Sequence, residues 1–298
     1  MSVIIVNYNT LDITKNCLSS IKQFTSGITY EIILVDNASC DGSKEFFSSI
    51  DDITYIWSND NIGFGKANNL GFNQSRGRYV LLLNSDTLIL NNALKLFVDI
   101  ADAEPDKNVG CWGCMLIDRN GHLTHSYGEF PTIWKDLFKE TILIPYSKFT
   151  GNAECLRQGV TNPKSPVDYI IGADLLIKRE VIEQLGLFDP RFFMYNEDVE
   201  LQWRYHQHGI KRKIINGPMI KHLEGGSAKS QNKKTLSGSI MRLKSKMTYF
   251  YITTNSLSFF LYKVLLLLVR IPFFLFSKYD FNEKKDYLLV ILYSKLFK

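Results

Sequence analysis

Three leucines, Leu81-Leu82-Leu83, run straight into Asn84-Ser85-Asp86. An uninterrupted apolar run is how a strand covered on both faces reads, so the polar triplet falls at the strand's carboxyl end. In open α/β sheets ligands bind at that edge, and a carboxylate there can hold a divalent cation against a diphosphate. Taken alone, Asp86 is better explained as an Asx turn residue. The same edge carries more, however: Asn7-Tyr8-Asn9 after residues 3–6, Asp36-Asn37-Ala38-Ser39 with Asp41-Gly42-Ser43 after residues 31–35, and Asn59-Asp60-Asn61-Ile62-Gly63-Phe64-Gly65 after Thr54–Trp57. Together these loops hold groups able to stack on a base, accept an imide N–H, approach a ribose closely and bind a metal. Turn chemistry accounts for any one of them. Four in succession on one edge point to a ligand.

Two later stretches add titratable groups. Glu197-Asp198 open a helical pattern, where acids favour the helix dipole by about 0.3–1 kcal/mol. A carboxylate fixed at a helix start also suits a general base. His222 follows a strand-like stretch and precedes Gly225-Gly226, where the backbone can close over a diphosphate. A lone histidine is ordinarily a surface or satisfied polar residue, and nothing raises His206 and His208 above that.

The elements that must position these groups are legible from periodicity. Residues 3–6 read as a strand, Asn9 or Thr10 as the cap of a helix to about Phe24, and residues 31–35, Thr54–Trp57 and residues 79–83 as further strands. Such alternation predicts right-handed βαβ units, hence a Rossmann-like, mostly parallel sheet with helices on both faces. The chain lacks GxGxxG and GxxxxGK[ST], so neither nicotinamide nor ATP chemistry is indicated. Asp118-Arg119-Asn120-Gly121 reads as a hairpin turn. Residues 127–165, with prolines, glycines and aromatics but no periodicity, read as an acceptor-facing insertion. Residues 172–177 predict a strand, Arg179–Leu185 a short helix closed by Gly186, and Asn196 the N-cap of a helix through about His206.

With 298 residues, 45% of them hydrophobic, the chain can bury one α/β core and a smaller appended region, not two large domains. The first strand begins at once, without a basic leader or cleavage site, which predicts a cytosolic start. Five scattered cysteines predict reduced thiols, and Cys111-Trp112-Gly113-Cys114 has no second pair at zinc spacing. The net charge of +5 is uneven: from Lys229 onward 13 basic residues face 3 acidic ones, which leaves the preceding part at about −5. The aromatics of this basic segment lie in aliphatic runs rather than in an RNA- or DNA-binding motif. Nucleic acid is therefore not expected as a partner, and a membrane surface fits better.

The segments SVIIVNYN, LVDNASCDGS, NIGFGKANNLG and LLLNSDT resemble those of the family-two glycosyltransferases, inverting enzymes of GT-A fold. The later GADLLIKREVIEQLGLFDPRFFMYNEDVELQWR, followed by KHLEGGS, is similar to the subgroup often assigned as rhamnosyltransferases. The resemblance spans residues 2–228 and implies a catalytic domain over 1–228, with 229–298 as a basic, apolar helical tail. It implies that Tyr8 stacks on the pyrimidine and Asp36 accepts its N3–H, while Asn7, Asn61, Gly63, Lys66, Asn68, Asn84 and Ser85 line the nucleotide-sugar. Asp86 would bind Mn2+ or Mg2+ on the diphosphate. The family's DXD departs here to Asn84-Ser85-Asp86, leaving one carboxylate; His222 would supply a second ligand and bias the site toward manganese. Asp198 would be the base, with Glu197 contacting the acceptor or orienting the site and Glu200 as a rival. Because guanine also presents an N–H donor edge, Asp36 does not exclude a GDP-sugar.

The implied activity is inverting transfer of a sugar, L-rhamnose from dTDP-rhamnose first, to a saccharide acceptor on a lipid carrier in cell-surface polysaccharide synthesis. A UDP-hexose or galactofuranosyl transferase of the same fold is the alternative. From another class, a catalytically silent membrane-associated binding protein would be expected to lose some of Asp86, Asp198 and His222, all of which are present. A sugar nucleotidyltransferase would need a glycine-rich, basic N-terminal signature that is missing. In the tail, residues 233–251 read as a basic helix, 257–276 as a long apolar run and 287–297 as a shorter one. Lys263, Arg270 and Pro272 inside the long run weigh against spanning, since a central basic residue costs about 2.5–3.5 kcal/mol on insertion scales. Helices lying on the cytoplasmic face of the plasma membrane, with both basic heads among lipid phosphates, are the expectation; packing on the catalytic domain or a dimer contact are the other readings.

Overall fold

β1 (Ser2–Asn7), β2 (Glu31–Asp36), β3 (Thr54–Trp57) and β4 (Tyr79–Asn84) are parallel neighbours; β1, β2 and β4 form where apolar runs are buried on both faces, whereas β3 is the partly exposed edge strand. They belong to a computed structural model that describes residues 1–143, 166–223 and 236–294. β5 (Thr87–Ile89), β6 (Val109–Cys114), β7 (Tyr127–Gly128), β8 (Tyr169–Ile170), β9 (Asp174–Lys178), β10 (Lys211–Ile215) and β11 (Ile220–His222) follow. Seven of these make one sheet in the order β10-β6-β9-β4-β1-β2-β3. It is mixed, because β9 runs antiparallel to both β4 and β6 while β6 and β10 pair in parallel. The order reverses between β4 and β1, so the loops after these two strands diverge and leave a crevice. Register aligns the strand ends: Asn7 pairs with Asp36, Asp36 with Trp57 and Val6 with Asn84.

Helices cover both faces, as the alternation of strands and helices predicts. Val3, Ile5 and Leu34 pack with Leu18 and Ile21 of the helix Leu11–Phe24 and with Leu94 and Phe97 of the helix Ala93–Ala103. Ile4, Ile33 and Val35 face the other way, onto Ala67 of the helix Phe64–Gln74 and onto Val181, Leu201 and Tyr205. Gly71 lets that helix approach closely, since a Cβ there would come within 2.5 Å of Ile4 Cγ2. Thr10 precedes the first helix but does not cap it; the Leu11 N–H is taken instead by Asp41 Oδ2 at 2.8 Å, from the loop after β2. The turn at Asp118–Gly121 forms as expected, with Gly121 at φ +85° and Ile117 bridging Leu123. Strand β9 starts at Asp174, two residues later than expected, because Gly172 binds the helix Glu197–Gln207 instead.

The chain divides into two compact units. The first comprises Met1–Glu129, Gln158–Pro190 and Asp198–Ser230; the second comprises Phe130–Arg157, Arg191–Glu197 and Gln231–Lys298. Within the second unit the helices Ile133–Phe138, Ser237–Thr253, Ser256–Phe276 and Phe281–Tyr293 are joined by an internal ionic network. Lys246 Nζ lies 2.8 Å from Asp136 Oδ1 and 3.1 Å from Glu140 Oε1, Arg270 pairs with the same Glu140, and the Tyr262 hydroxyl donates to Asp136 Oδ2 at 2.6 Å. Although burial pushes Glu140 up, Lys246 and Arg270 together hold its carboxyl below the usual range. Lys263 Nζ donates to the Leu292 carbonyl at 2.6 Å. Arg270 is therefore folded back onto its own unit, because a buried charge is held only where a partner meets it, while the half-buried Lys263 reaches back to a carbonyl of the last helix. Pro272 does not end the helix, which continues to Phe276. The expected Gly225-Gly226 loop, the boundary at 228/229, the insertion over 144–165, the tail start at 233–235 and the end of the last apolar run at 295–297 lie outside the described residues.

Candidate active site

The first loop of the crevice is built around Asn7, which is fully buried. Its Nδ2 donates to Asp36 Oδ2 at 3.2 Å and to Ser39 Oγ at 3.0 Å, while its Oδ1 accepts from the hydroxyls of Thr10 at 2.8 Å and Thr14 at 2.9 Å. All four polar valences of this amide are thus used inside the protein. Asp36 is buried as well: besides Asn7, its Oδ2 accepts from the Tyr55 hydroxyl at 3.3 Å, and its Oδ1 accepts the Ser39 N–H at 2.9 Å. Tyr8 by contrast is 42% exposed, leaving a ring face open at the strand end. In the third loop Asn37 and Asn61 are linked at 2.9 Å, and Asn61 Oδ1 also accepts the Gly63 N–H at 3.1 Å. Gly63 has φ +86°, which a side chain would strain. Lys66 is exposed, whereas Asn68 is buried with its amide on the Phe64 carbonyl at 3.0 Å.

A small ribbon assembles the polar end of β4. β5 and β11 pair antiparallel with His222 opposite Thr87, and the Leu223 N–H donates to the Asp86 carbonyl at 2.8 Å. This register brings His222 Nε2 to 3.2 Å from Asp86 Oδ1, and Asn84 Nδ2 to 3.5 Å from the same nitrogen. Ser85 Oγ lies 3.4 Å from Thr10 Oγ1, joining this loop to the first. The pair fits a divalent cation: two neighbouring ligands at right angles around an ion with bonds of about 2.1 Å stand roughly 3 Å apart, close to the observed separation. No cluster of three or more His, Cys, Asp or Glu able to hold a metal occurs among the described residues. A cation here would need further oxygens from a diphosphate or water, as is usual for magnesium-type sites.

Asp198 opens the part of the helix Glu197–Gln207 that belongs to the sheet unit. Its Oδ2 accepts the Gly172 N–H and its Oδ1 the Val199 N–H, each at 2.9 Å. Burial raises its pKa, and these backbone donors oppose the rise. A Cβ on Gly172 would lie 3.5 Å from Asp198 Cβ and 3.6 Å from Phe64 Cε1, so the carboxylate borders the residue that follows Gly63. The Asn84 N–H donates to the Ala173 carbonyl at 3.0 Å, which ties the end of β4 to the same segment. Glu197 is buried. Glu200 is paired with Arg204 at 3.1 Å, and Arg204 also binds the carbonyls of Leu185, Gly186 and Leu187, which makes this acid part of a clamp rather than a base. Asn196 stands before the helix at φ +58°, a left-handed conformation rather than the extended one of an N-cap. Among the described residues, the left-handed non-glycine positions are Asn9, Ala38, Tyr195 and Asn196, each within three residues of a proposed site residue. Backbone strain of this kind, about 1–3 kcal/mol per residue, clusters at functional sites.

Sequence reasoning missed Tyr55, Gln202 and Asp174. Asp174 is fully buried on β9, accepts the Cys114 N–H at 2.7 Å, and is pushed up to about 7 by burial, with Cys114 and His222 opposing. An acid at a strand start gave a signal only as a break in an apolar run. Gln202 was detectable as the residue one turn after Asp198 on the same helix face. Burial also raises the thiols of Cys17 and Cys111, each to about 12, consistent with inert core cysteines.

The family model for glycosyl transferase family 2 matches residues 2–186. A low-salt glycan biosynthesis hexosyltransferase, Agl10, of Haloferax volcanii is 30% identical over 214 residues, covering 70% of this chain and 62% of that protein. An N-acetylglucosaminyl-diphospho-decaprenol L-rhamnosyltransferase of Mycobacterium tuberculosis is 25% identical over 204 residues, covering 64% of this chain and 66% of that protein. The chain thus spans slightly less than two thirds of the length of these curated relatives. In fold it is similar to a mannosyltransferase of Pyrobaculum calidifontis solved with GDP-Man and Mn2+, with a TM-score of 0.56 at 14% identity over 99% of this chain and 85% of the other. By the match over its sheet and crevice loops, the chain belongs to glycosyl transferase family 2.

Proposed function

We propose that this protein is an inverting, nucleotide-sugar-dependent glycosyltransferase of glycan biosynthesis, transferring L-rhamnose from dTDP-rhamnose to a saccharide acceptor on a lipid carrier. The observation that carries the reading is that the Asp86–His222 pair follows the end of β4, whose Asn84 N–H is tied to Ala173, while the neighbouring Gly172 N–H is tied to Asp198. Tyr8 stacks on the base. Asp36 takes the base N–H in place of the Tyr55 hydroxyl, which is the donor to its carboxylate that comes from outside the two crevice loops. Asn7 and Asn68 act by shaping the loops, while Asn61, Gly63, Lys66, Asn84 and Ser85 border the ribose and diphosphate. Asp86 and His222 hold Mn2+ or Mg2+, which when bound supplies Lewis-acid stabilisation of the departing diphosphate. Asp198 accepts the proton of the acceptor hydroxyl as its oxygen bonds to the anomeric carbon and the bond to the diphosphate breaks. Glu197 orients the acceptor side. The sheet unit is the catalytic domain.

The second unit is the membrane-associating part. Leu257, Phe260, Leu268, Leu275 and Phe276 of the helix Ser256–Phe276 are between 59% and 90% exposed, and that helix is long and apolar enough to cross a bilayer. With Arg270 paired to Glu140 and Lys263 bonded to the Leu292 carbonyl, this face is dominated by apolar side chains, so it lies among acyl chains at the cytoplasmic surface of the plasma membrane, held by apolar contact.

A thermal-shift screen of dTDP-rhamnose, UDP-hexoses and GDP-mannose with Mn2+ tests the reading, since a ligand of the folded state stabilises it by about 2.7 kcal/mol at a hundred times Kd. The largest shift is expected with dTDP-rhamnose. A UDP-hexose in its place would select the hexosyl reading, which the 30% identity to a hexosyltransferase favours. No shift with any nucleotide-sugar would remove the class.

A further inference from the structure

Gln202 is fully buried on the helix Glu197–Gln207, and its side-chain amide makes three hydrogen bonds. Oε1 accepts the Ile170 N–H at 2.9 Å, and Nε2 donates to the Ile170 carbonyl at 2.6 Å and to the Asp198 carbonyl at 3.0 Å. Ile170 belongs to the two-residue strand β8, whose far edge is held by β7: the Ile171 N–H donates to the Ser126 carbonyl at 3.1 Å. Backbone groups of successive strand residues point to opposite edges. The N–H and C=O of Ile170 therefore face away from β7, and Gln202 satisfies both, standing where a further strand would pair. Two residues on, the Gly172 N–H holds Asp198 Oδ2 at 2.9 Å. The ring closes, because Gln202 binds the backbone of Asp198 at one end and the strand leading to the donor of its carboxylate at the other.

We infer that Gln202 is the positioning residue of the transfer reaction, fixing the distance between Gly172 and Asp198 and so the direction in which the carboxylate faces the acceptor. The inference rests on the reading of Asp198 as base. A two-residue strand has few ladder bonds of its own; with Ile171 held on Ser126 and Ala173 on Asn84, loss of the amide leaves both backbone groups of Ile170 unsatisfied and lets the segment between those ties shift by a fraction of an ångström. A misplacement of about 1 Å costs roughly 100-fold in rate. The Gln202 amide is spent on the backbone of Ile170 and Asp198, so donor binding should stay intact when it is replaced.

The test is a mutant cycle of Gln202→Met, Asp198→Asn and the double variant of the full chain, read as kcat for transfer, KM for donor and donor Kd by calorimetry. The expected result is a kcat loss of about 10- to 100-fold for Gln202→Met with donor Kd within about twofold, and a loss of about 100-fold or more for Asp198→Asn. In the Asp198→Asn background the Met substitution should remove less than a further twofold, since a residue acting only through the carboxylate has nothing left to position. Near-normal turnover of Asp198→Asn would sink the base assignment. A slow Asp198→Asn beside an unaffected Gln202→Met, or losses that multiply in the double variant, would overturn the positioning role and leave the base standing. If Gln202→Met loses donor binding, Gln202→Asn, which keeps an amide one methylene too short to span both partners, is judged by the same outcomes.

Discussion

Replacing Asp174 by Asn should flatten the pH dependence of stability of the sheet unit. The side chain sits at the head of β9 with no exposure, one oxygen on the Cys114 N–H and the other without a hydrogen-bond partner among the described residues. Burial pushes its pKa up to about 7. In the unfolded chain an aspartate titrates near 3.9, so the folded protein keeps a proton that the unfolded chain has released. A raised carboxyl therefore contributes stability that is complete below about pH 4 and is lost as pH rises through about 7. Three pKa units at 1.36 kcal/mol each set a ceiling of about 4 kcal/mol, of which roughly 2–3 kcal/mol falls between pH 5 and pH 8. Asn cannot titrate; whatever its amide costs in place of the acid is the same at every pH. Urea unfolding followed by Trp112, which is wholly buried on the neighbouring β6 at the register of Leu176, reports this unit. Wild type should lose stability relative to Asp174→Asn by roughly 2–3 kcal/mol from pH 5 to pH 8. Parallel curves for the two proteins would show that Asp174 is already ionised in the folded state, and the burial argument would be wrong.

Glu140→Gln should destabilise the helical unit by about 3–5 kcal/mol, because it leaves Lys246 and Arg270 partly uncompensated in a buried network; a change under about 1 kcal/mol in calorimetric unfolding would mean these charges are solvated. His222→Ala should raise the manganese concentration needed for half-maximal transfer about tenfold or more, with donor affinity in the absence of metal unchanged; an unaltered metal titration removes the ligand role. Binding to liposomes should persist in neutral lipid and at about 0.5 M salt, where charge attraction is screened within a few ångströms, since the exposed face of the helix Ser256–Phe276 carries no free basic head. Release by salt would restore the lipid-phosphate reading.

Much of the sheet can be read from local pattern because each of β1 to β4 is contiguous and ends in polar residues at one level. The periodicity that marks Ile4 and Ile5 as facing opposite layers is a property of the strand itself. Three features escaped because they depend on distant pairing. The antiparallel insertion of β9 between β4 and β6 has no signature in its own five residues. Whether Asn7 and Asp36 face solvent or one another is decided by the register of β1 on β2, and that register buries both. Arg270 looked like a charge for lipid until Glu140, far away in the chain, was found beside it. Of the candidate site, the residue types and their loops were legible; the hydrogen bonds that select Tyr8 as open and Asn7 as closed were not.

The β5–β11 ribbon has a consequence for how the protein is made. His222 lies 138 residues after Asn84, so the Asp86–His222 pair cannot exist on a nascent chain until the second strand of the ribbon has left the ribosome. At translation rates of about 5–20 residues per second, that leaves roughly 7 to 28 seconds in which the crevice loops after β1 to β4 are already synthesised. For the earlier part of that interval the chain presents an open apolar strand edge, since β4 still lacks its antiparallel neighbour β9 (Asp174–Lys178). On the proposed reading a metal held by Asp86 and His222 would stabilise only the chain with its ribbon completed, and chaperone dependence during synthesis should be indifferent to it.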